Sequence, residues 1–164
     1  METVTFTFPT LPTTLAELQK LPEASLDTPF KTAALTVLAL CNYAVDVSET
    51  LAMLDWLRGP RPLSVFEKQF IRDRLAGKDY VPRSYLGGTG PQNNYTPSQP
   101  YTVTVFDNPY SYQDANYATL HITSSGADSP RQVKLRKKAD GQWLVWDIFL
   151  YADIRQPAKN DPWA

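Results

Sequence analysis

Residues 3–8 alternate apolar and polar side chains, with Val4, Phe6 and Phe8 on one side. A period of two predicts a short strand or a docked tail. Thr14-Leu15-Ala16-Glu17 has the form of a capping box, in which a hydroxyl caps the first turn and a carboxylate reaches back. It predicts a short helix ending before Pro22. From residue 30 to residue 45 the period changes: Phe30, Ala33, Leu35, Val37, Leu38, Leu40 and Ala44 cover nearly every helical face. A helix apolar all round is a buried one. Asp27 is its expected N-cap, and Pro29 suits its first turn, where the missing N–H costs nothing.

Ser48 is the expected cap of a further helix carrying Leu51, Met53, Leu54 and Leu57 and ending at Gly59-Pro60. Ser64-Val65-Phe66-Glu67 is a second capping box. The helix it opens is expected to turn Phe66, Phe70, Ile71 and Leu75 inward and to end at Gly77. No period survives across residues 78–100, which hold Gly87, Gly88, Gly90 and four prolines. A loop this long is uncommon inside a domain unless it packs or functions. Its Tyr80, Tyr85 and Tyr95 predict that it packs, against the sheet and against residues 125–131, with Arg83 placed to pair with Asp128.

Four stretches rich in β-branched and aromatic residues follow, at 101–106, 117–124, 132–138 and 143–150. The last two flank Asp140-Gly141, a strong hairpin signal. Taking those two as the turn places Leu135 opposite Trp146 and Val133 opposite Ile148 on one face. The other face then pairs Lys138 with Trp143, Arg136 with Val145 and Lys134 with Asp147. His121, between Thr119 and Thr123, shares that second face. The predicted architecture is α+β in one domain, residues 1–164: helices at about 14–77, the long loop, a sheet at 101–150 and an irregular tail at 151–164. The helices pack on one face of an antiparallel sheet of about four strands, an order similar to the NTF2-like cone.

The 164 residues and 18.5 kDa fit one core, and 43% hydrophobic with 20% charged residues is ordinary for a globular chain. A net charge of −1 argues against a generic nucleic-acid binder. One cysteine, Cys41, allows neither an internal disulfide nor a cysteine metal cage. It lies in the apolar helix and reads as a small hydrophobe. The first residues show no basic-then-apolar leader. The longest apolar run, 33–45, is broken by Thr36, Asn42 and Tyr43 and too short to span a bilayer. The expected location is the cytoplasm, with no membrane partner.

His121 is the only histidine and has no identified partner carboxylate, so it reads as structural; the functional alternative places it in a pocket with Arg136. Ser-Gly-Ala-Asp-Ser-Pro-Arg at 125–131 reads as an elaborate turn with an Asp128–Arg131 interaction. Its functional alternative presents an arginine to a carboxylate or phosphate. Gly87-Gly88-Thr89-Gly90 lacks the Lys-Ser/Thr ending of a phosphate loop. The carboxylates show no metal-ligand or paired acid–base spacing, so no catalytic residue, metal site or cofactor is expected.

The segments Pro82-Arg83-Ser84-Tyr85, Asn93-Asn94-Tyr95-Thr96-Pro97, 125–131, Leu135-Arg136, Ile154-Arg155 and Asp161-Pro162-Trp163-Ala164 together resemble an uncharacterised family of bacterial proteins, mostly from Firmicutes, known as a domain of unknown function. The likeness covers about the last half of the chain. It implies a bacterial cytoplasmic protein in which Arg83, Tyr85, Asn94, Asp128, Arg131 and Arg155 belong to one structural feature. It implies no activity or ligand.

Two functional classes follow. The first is a non-enzymatic binding protein that uses the basic, aromatic sheet face (Lys134, Arg136, Trp143, Val145 and His121) for self-association or a protein partner. A second cluster is expected at Arg83, Asp128 and Arg131. The alternative is a small-ligand protein or enzyme with an NTF2-like pocket containing His121 and Arg136.

Overall fold

The computed structural model describes residues 1–163. Strand β1 (Thr3–Phe8) comes first, then helices α1 (Leu15–Gln19), α2 (Pro29–Cys41), α3 (Val47–Arg58), α4 (Val65–Leu75) and α5 (Tyr80–Arg83). Strands β2 (Tyr101–Phe106), β3 (Tyr117–Ile122), β4 (Arg131–Lys137) and β5 (Trp143–Phe149) complete the chain's regular structure, apart from short 3₁₀ turns. The five strands form one antiparallel sheet in the order β1-β2-β3-β4-β5. The class is α+β as expected, with five strands instead of about four. The amino-terminal alternation supplies the extra strand by pairing with β2.

Helix α2 is the centre of the core. Every residue from Thr32 to Leu40 is buried, and the helix packs on β2, β3, β4 and β5. Its N-cap is Thr28, whose hydroxyl accepts the Lys31 N–H at 3.2 Å; Asp27 instead pairs with the Lys31 ammonium at 2.6 Å. With Pro29 in the first turn, the cap is the residue directly before it. Likewise Asp46, not Ser48, caps α3 by accepting from Glu49 N–H. The Glu49 carboxylate then accepts the Leu15 N–H at 2.8 Å and ties α1 to α3. In α1, Thr14 caps as expected, while Glu17 reaches back to the N–H of Thr13.

The Ser64 capping box is fully formed. Only Ile71 and Leu75 of its helix are buried, however, and Phe66 is 78% exposed. Helix α4 lies at the rim, held by Arg58–Glu67 (2.8 Å) and by Phe70 edge-on to Tyr151. The loop at 78–100 is ordered and packed. Tyr80, Tyr85 and Tyr95 are buried, the Gly87 N–H donates to the Thr102 carbonyl, and the Ser125 N–H donates to the Ser84 carbonyl at 2.8 Å.

The β4–β5 hairpin corrects the expected register. Val133 faces Ile148 and Lys134 faces Asp147, but a bulge between Lys134 and Leu135 leaves Trp146 as an extra residue. Beyond it Leu135 faces Val145, Arg136 faces Leu144 and Lys137 faces Trp143. Val145 is therefore in the core at 1% exposure, and Trp143 lies on the helix side. Two large apolar side chains, Val145 and Trp146, follow one another, and strict alternation would bury Trp146 and expose Val145. The bulge buries the smaller one against Leu135 and releases the indole to the outside.

Candidate functional site on the outer sheet face

The face away from the helices is threonine-rich on β1 and β2, where Thr5 and Thr104 hydroxyls meet at 2.9 Å. On β3, β4 and β5 it becomes aromatic and basic. Tyr117 stands opposite Arg136, and Thr119 opposite Lys134. The Arg136 guanidinium lies 4.5 Å from the Tyr117 ring centre, with the Lys134 ammonium at 5.0 Å. Tyr117 meets Trp146 edge-to-face at 5.3 Å. Over Trp146, on the far side of the cluster, lies Arg61 at 3.6 Å, its guanidinium donating to the Trp146 carbonyl at 2.6 Å. Three cations and two aromatic rings thus form one continuous layer.

The connection between α3 and α4 makes this layer possible. At Gly59 the backbone takes φ +65°, and a Cβ there would stand 2.3 Å from Leu144 Cδ1. The chain thereby folds close around the β5 edge and lays Arg61 on Trp146. Arg58 donates to the Arg61 carbonyl at 2.8 Å and holds the turn. Lys134 has a distant carboxylate at Asp114, 3.9 Å away. Arg136 is half-buried and makes no ion pair or hydrogen bond with a described residue; its aromatic platform fixes its plane while its N–H groups stay unpaired.

Of the expected face residues, Lys134 and Arg136 are in the cluster, whereas Trp143 and Val145 are on the helix side. Trp146, Tyr117 and Arg61 take their place. Only the bulge signals Trp146, and nothing in the local pattern around Arg61 does. His121 is on the same face but beyond reach. It faces Gln132, four residues along the strand from Arg136, about 13 Å at strand rise. The structure does not bring the two together. His121 is buried against Phe106, with Nε2 2.9 Å from the Asn108 side-chain nitrogen. Desolvation lowers its pKa, opposed by the nearby Asp107 carboxylate. Asp107 itself accepts from the Glu2 N–H and the Tyr112 hydroxyl.

The second expected cluster separates in the structure. Arg83 pairs with Asp79 at 2.7 Å and donates to the carbonyls of Asn94 and Tyr95. Asp128 pairs with Arg155, not with Arg83 or Arg131. Arg131 donates to the carbonyls of Ala152, Asp153 and Ser129. Tyr85 donates to the Leu150 carbonyl, and Asn94 accepts the Lys159 N–H. Arg83, Arg131, Tyr85 and Asn94 fasten separate pieces of backbone, and Asp128 and Arg155 join two segments side chain to side chain. Cys41, half-buried at the end of α2, has its thiol pushed up to about 12 by desolvation, which removes the thiolate at neutral pH. Among the described residues no group of three or more His, Cys, Asp or Glu is placed to hold a metal ion. Among the same residues no helix is long and apolar enough to cross a membrane.

A family described as "Domain of unknown function (DUF6935)" matches residues 10–158. The chain belongs to this family. The match takes in all five helices and the four strands from β2 to β5, so the relationship extends well beyond the carboxy-terminal half. Strand β1 precedes it. No curated protein matches the chain, and no solved structure matches it.

Proposed function

We propose that this protein is a non-catalytic binding module whose outer sheet face meets a protein partner. The observation that carries this reading is Arg136, a guanidinium stacked on Tyr117 with its donors unspent. A pre-oriented arginine of this kind forms a forked contact with a carboxylate at small entropic loss. The neighbouring Tyr117 and Trp146 supply the rigid aromatic area on which interface energy concentrates. The matching partner surface is acidic with an apolar centre. A second copy of the chain remains within the same reading, as does the bacterial, cytoplasmic setting that the resemblance implies.

The test is retention of protein partners on the immobilised chain, together with sedimentation velocity of the free chain. Arg136→Gln and Tyr117→Ala should abolish partner retention or self-association while the melting temperature of Arg136→Gln stays within about 2 °C of the parent. Equal retention and equal sedimentation of parent and Arg136→Gln would remove the outer face as the contact.

The NTF2-like pocket reading draws no support from the geometry, because His121 and Arg136 are set apart along the strands.

A further inference from the structure

The two edges of the sheet are treated differently. At β5 the free edge is occupied: the Trp143 N–H donates to the Leu26 carbonyl at 2.8 Å, the Trp143 carbonyl accepts from Thr32, and the Trp146 carbonyl accepts from Arg61. At β1 no described residue is hydrogen-bonded to the free edge. The direction of its groups follows from the ladder. The Asp107 N–H donates to the Glu2 carbonyl, which makes Glu2–Asp107 a hydrogen-bonded pair. Pairs in an antiparallel ladder alternate, so Val4, Phe6 and Phe8 bond to β2, and the N–H and C=O of Thr3, Thr5 and Thr7 point outward. The Thr102 carbonyl confirms the parity: it lies opposite Thr7 and points away from β1, to the Gly87 N–H. The edge contains no charge, proline or bulge, the usual devices that guard an exposed strand.

Directly beside this edge, on the helix side, is a cleft of about 380 Å³. Val4, Phe6, Pro29, Phe30 and Trp143 give it a mainly apolar lining, to which Glu2, Asp27 and Lys31 add charge. An unpaired strand edge along an apolar cleft fits an added strand: backbone groups bond the edge while every second side chain enters the cleft.

We propose that the β1 edge is a docking site for an extended segment of a partner protein, apolar at every second position. The occupant follows from what the site requires. The edge takes only extended backbone. A second copy of β1 brings Phe6 and Phe8 already buried in its own core, at 9% and 1% exposure, so they cannot fill the cleft. It would also bring its own segment at 27–31 into the same space. A segment without a core of its own meets neither obstacle. This surface is separate from the outer-face cluster, so either reading stands without the other.

The probe is a terminally blocked hexapeptide of alternating threonine and valine, titrated into the full chain by amide-resolved NMR. Shifts should concentrate on the amides of Thr3, Thr5 and Thr7 and on the Trp143 indole. Thr5→Pro removes one outward N–H and no ladder bond, and proline is tolerated at such edge positions. It should weaken binding at least tenfold, while Thr5→Val, which keeps the N–H, should bind like the parent. If Thr5→Pro does not fold, the same peptide N-methylated on its edge-facing nitrogens must lose binding at least tenfold to the parent chain. Absence of binding at millimolar peptide, shifts centred on Tyr117 and Arg136, or equal affinity for the methylated peptide would each overturn the proposal. So would concentration-dependent broadening of the β1 amides without peptide, since a second copy would then be the occupant.

Discussion

The Tyr95 hydroxyl donates to the backbone carbonyl of Arg155 at 2.5 Å, across 60 residues of sequence. Tyr95 is itself fully buried, stacked on Tyr80, and its own carbonyl is held by Arg83. The long loop is thus the support on which the carboxy-terminal tail is fastened. Gly126 completes the arrangement, because a Cβ there would stand 2.4 Å from the Tyr95 hydroxyl. Tyr95→Phe should lower stability by about 1–2 kcal/mol through the lost bond. It should also speed tryptic cleavage after Arg155. Unchanged cleavage would show that Tyr95 does not hold the tail.

Gly59 decides whether Arg61 can reach Trp146. A side chain at φ +65° and ψ −118° is strained, and its Cβ would collide with Leu144. Gly59→Ala should cost about 2–4 kcal/mol from strain and overpacking together. Chemical denaturation measures it, and a loss below about 0.5 kcal/mol would contradict the tight turn.

The hairpin bulge gives the two tryptophans opposite roles. Trp143→Ala should destabilise by about 2–4 kcal/mol, since the ring packs against the core beside α2. Trp146→Ala should cost less and should release Arg61 and Tyr117, lowering association through the outer face. A larger stability loss for Trp146→Ala than for Trp143→Ala, with association unchanged, would show that strict alternation, not the bulge, describes β5.

His121 makes stability depend on mild acid. Its folded pKa is below the ordinary value of 6.5 because desolvation disfavours the cation. The unfolded chain therefore takes up the proton first. Its contribution is complete above pH 6.5 and is lost as the pH falls through the lowered folded value. His121→Gln, which keeps a bond to Asn108 available, should flatten that part of the stability profile below pH 6.5 and leave stability at pH 8 nearly unchanged. A parent profile without a decline attributable to His121 would refute this.

Local chemistry made much of the protein legible before any tertiary information. The all-apolar face of residues 30–41 requires burial wherever the helix sits, and the Ser64–Glu67 box and the Gly59-Pro60 stop act within a few residues of themselves. Asp140-Gly141 marks the hairpin, but the loop is the three residues Ala139-Asp140-Gly141, closed by the Lys138 N–H on the Gln142 carbonyl, and not the two-residue turn expected. The alternation at 3–8 likewise predicts a strand, since two-residue periodicity is a property of the chain alone.

Tertiary structure decided matters that depend on competition between distant groups. Asp27 and Thr28 both have the chemistry of a cap; Thr28 caps α2, while Asp27 is held by the Lys31 ammonium. Phe66 and Phe70 have the spacing of an inward stripe, yet α4 docks at the rim and leaves them exposed. The outer-face site depends most on context. A pairing rule cannot foresee that Val145 and Trp146 compete for one core position, or that Arg61 arrives from a separate turn to cover the loser. One extra residue in a ladder of period two reverses every side chain beyond it, so the face that Arg136 and Tyr117 share with Trp146 exists only once the strands have paired.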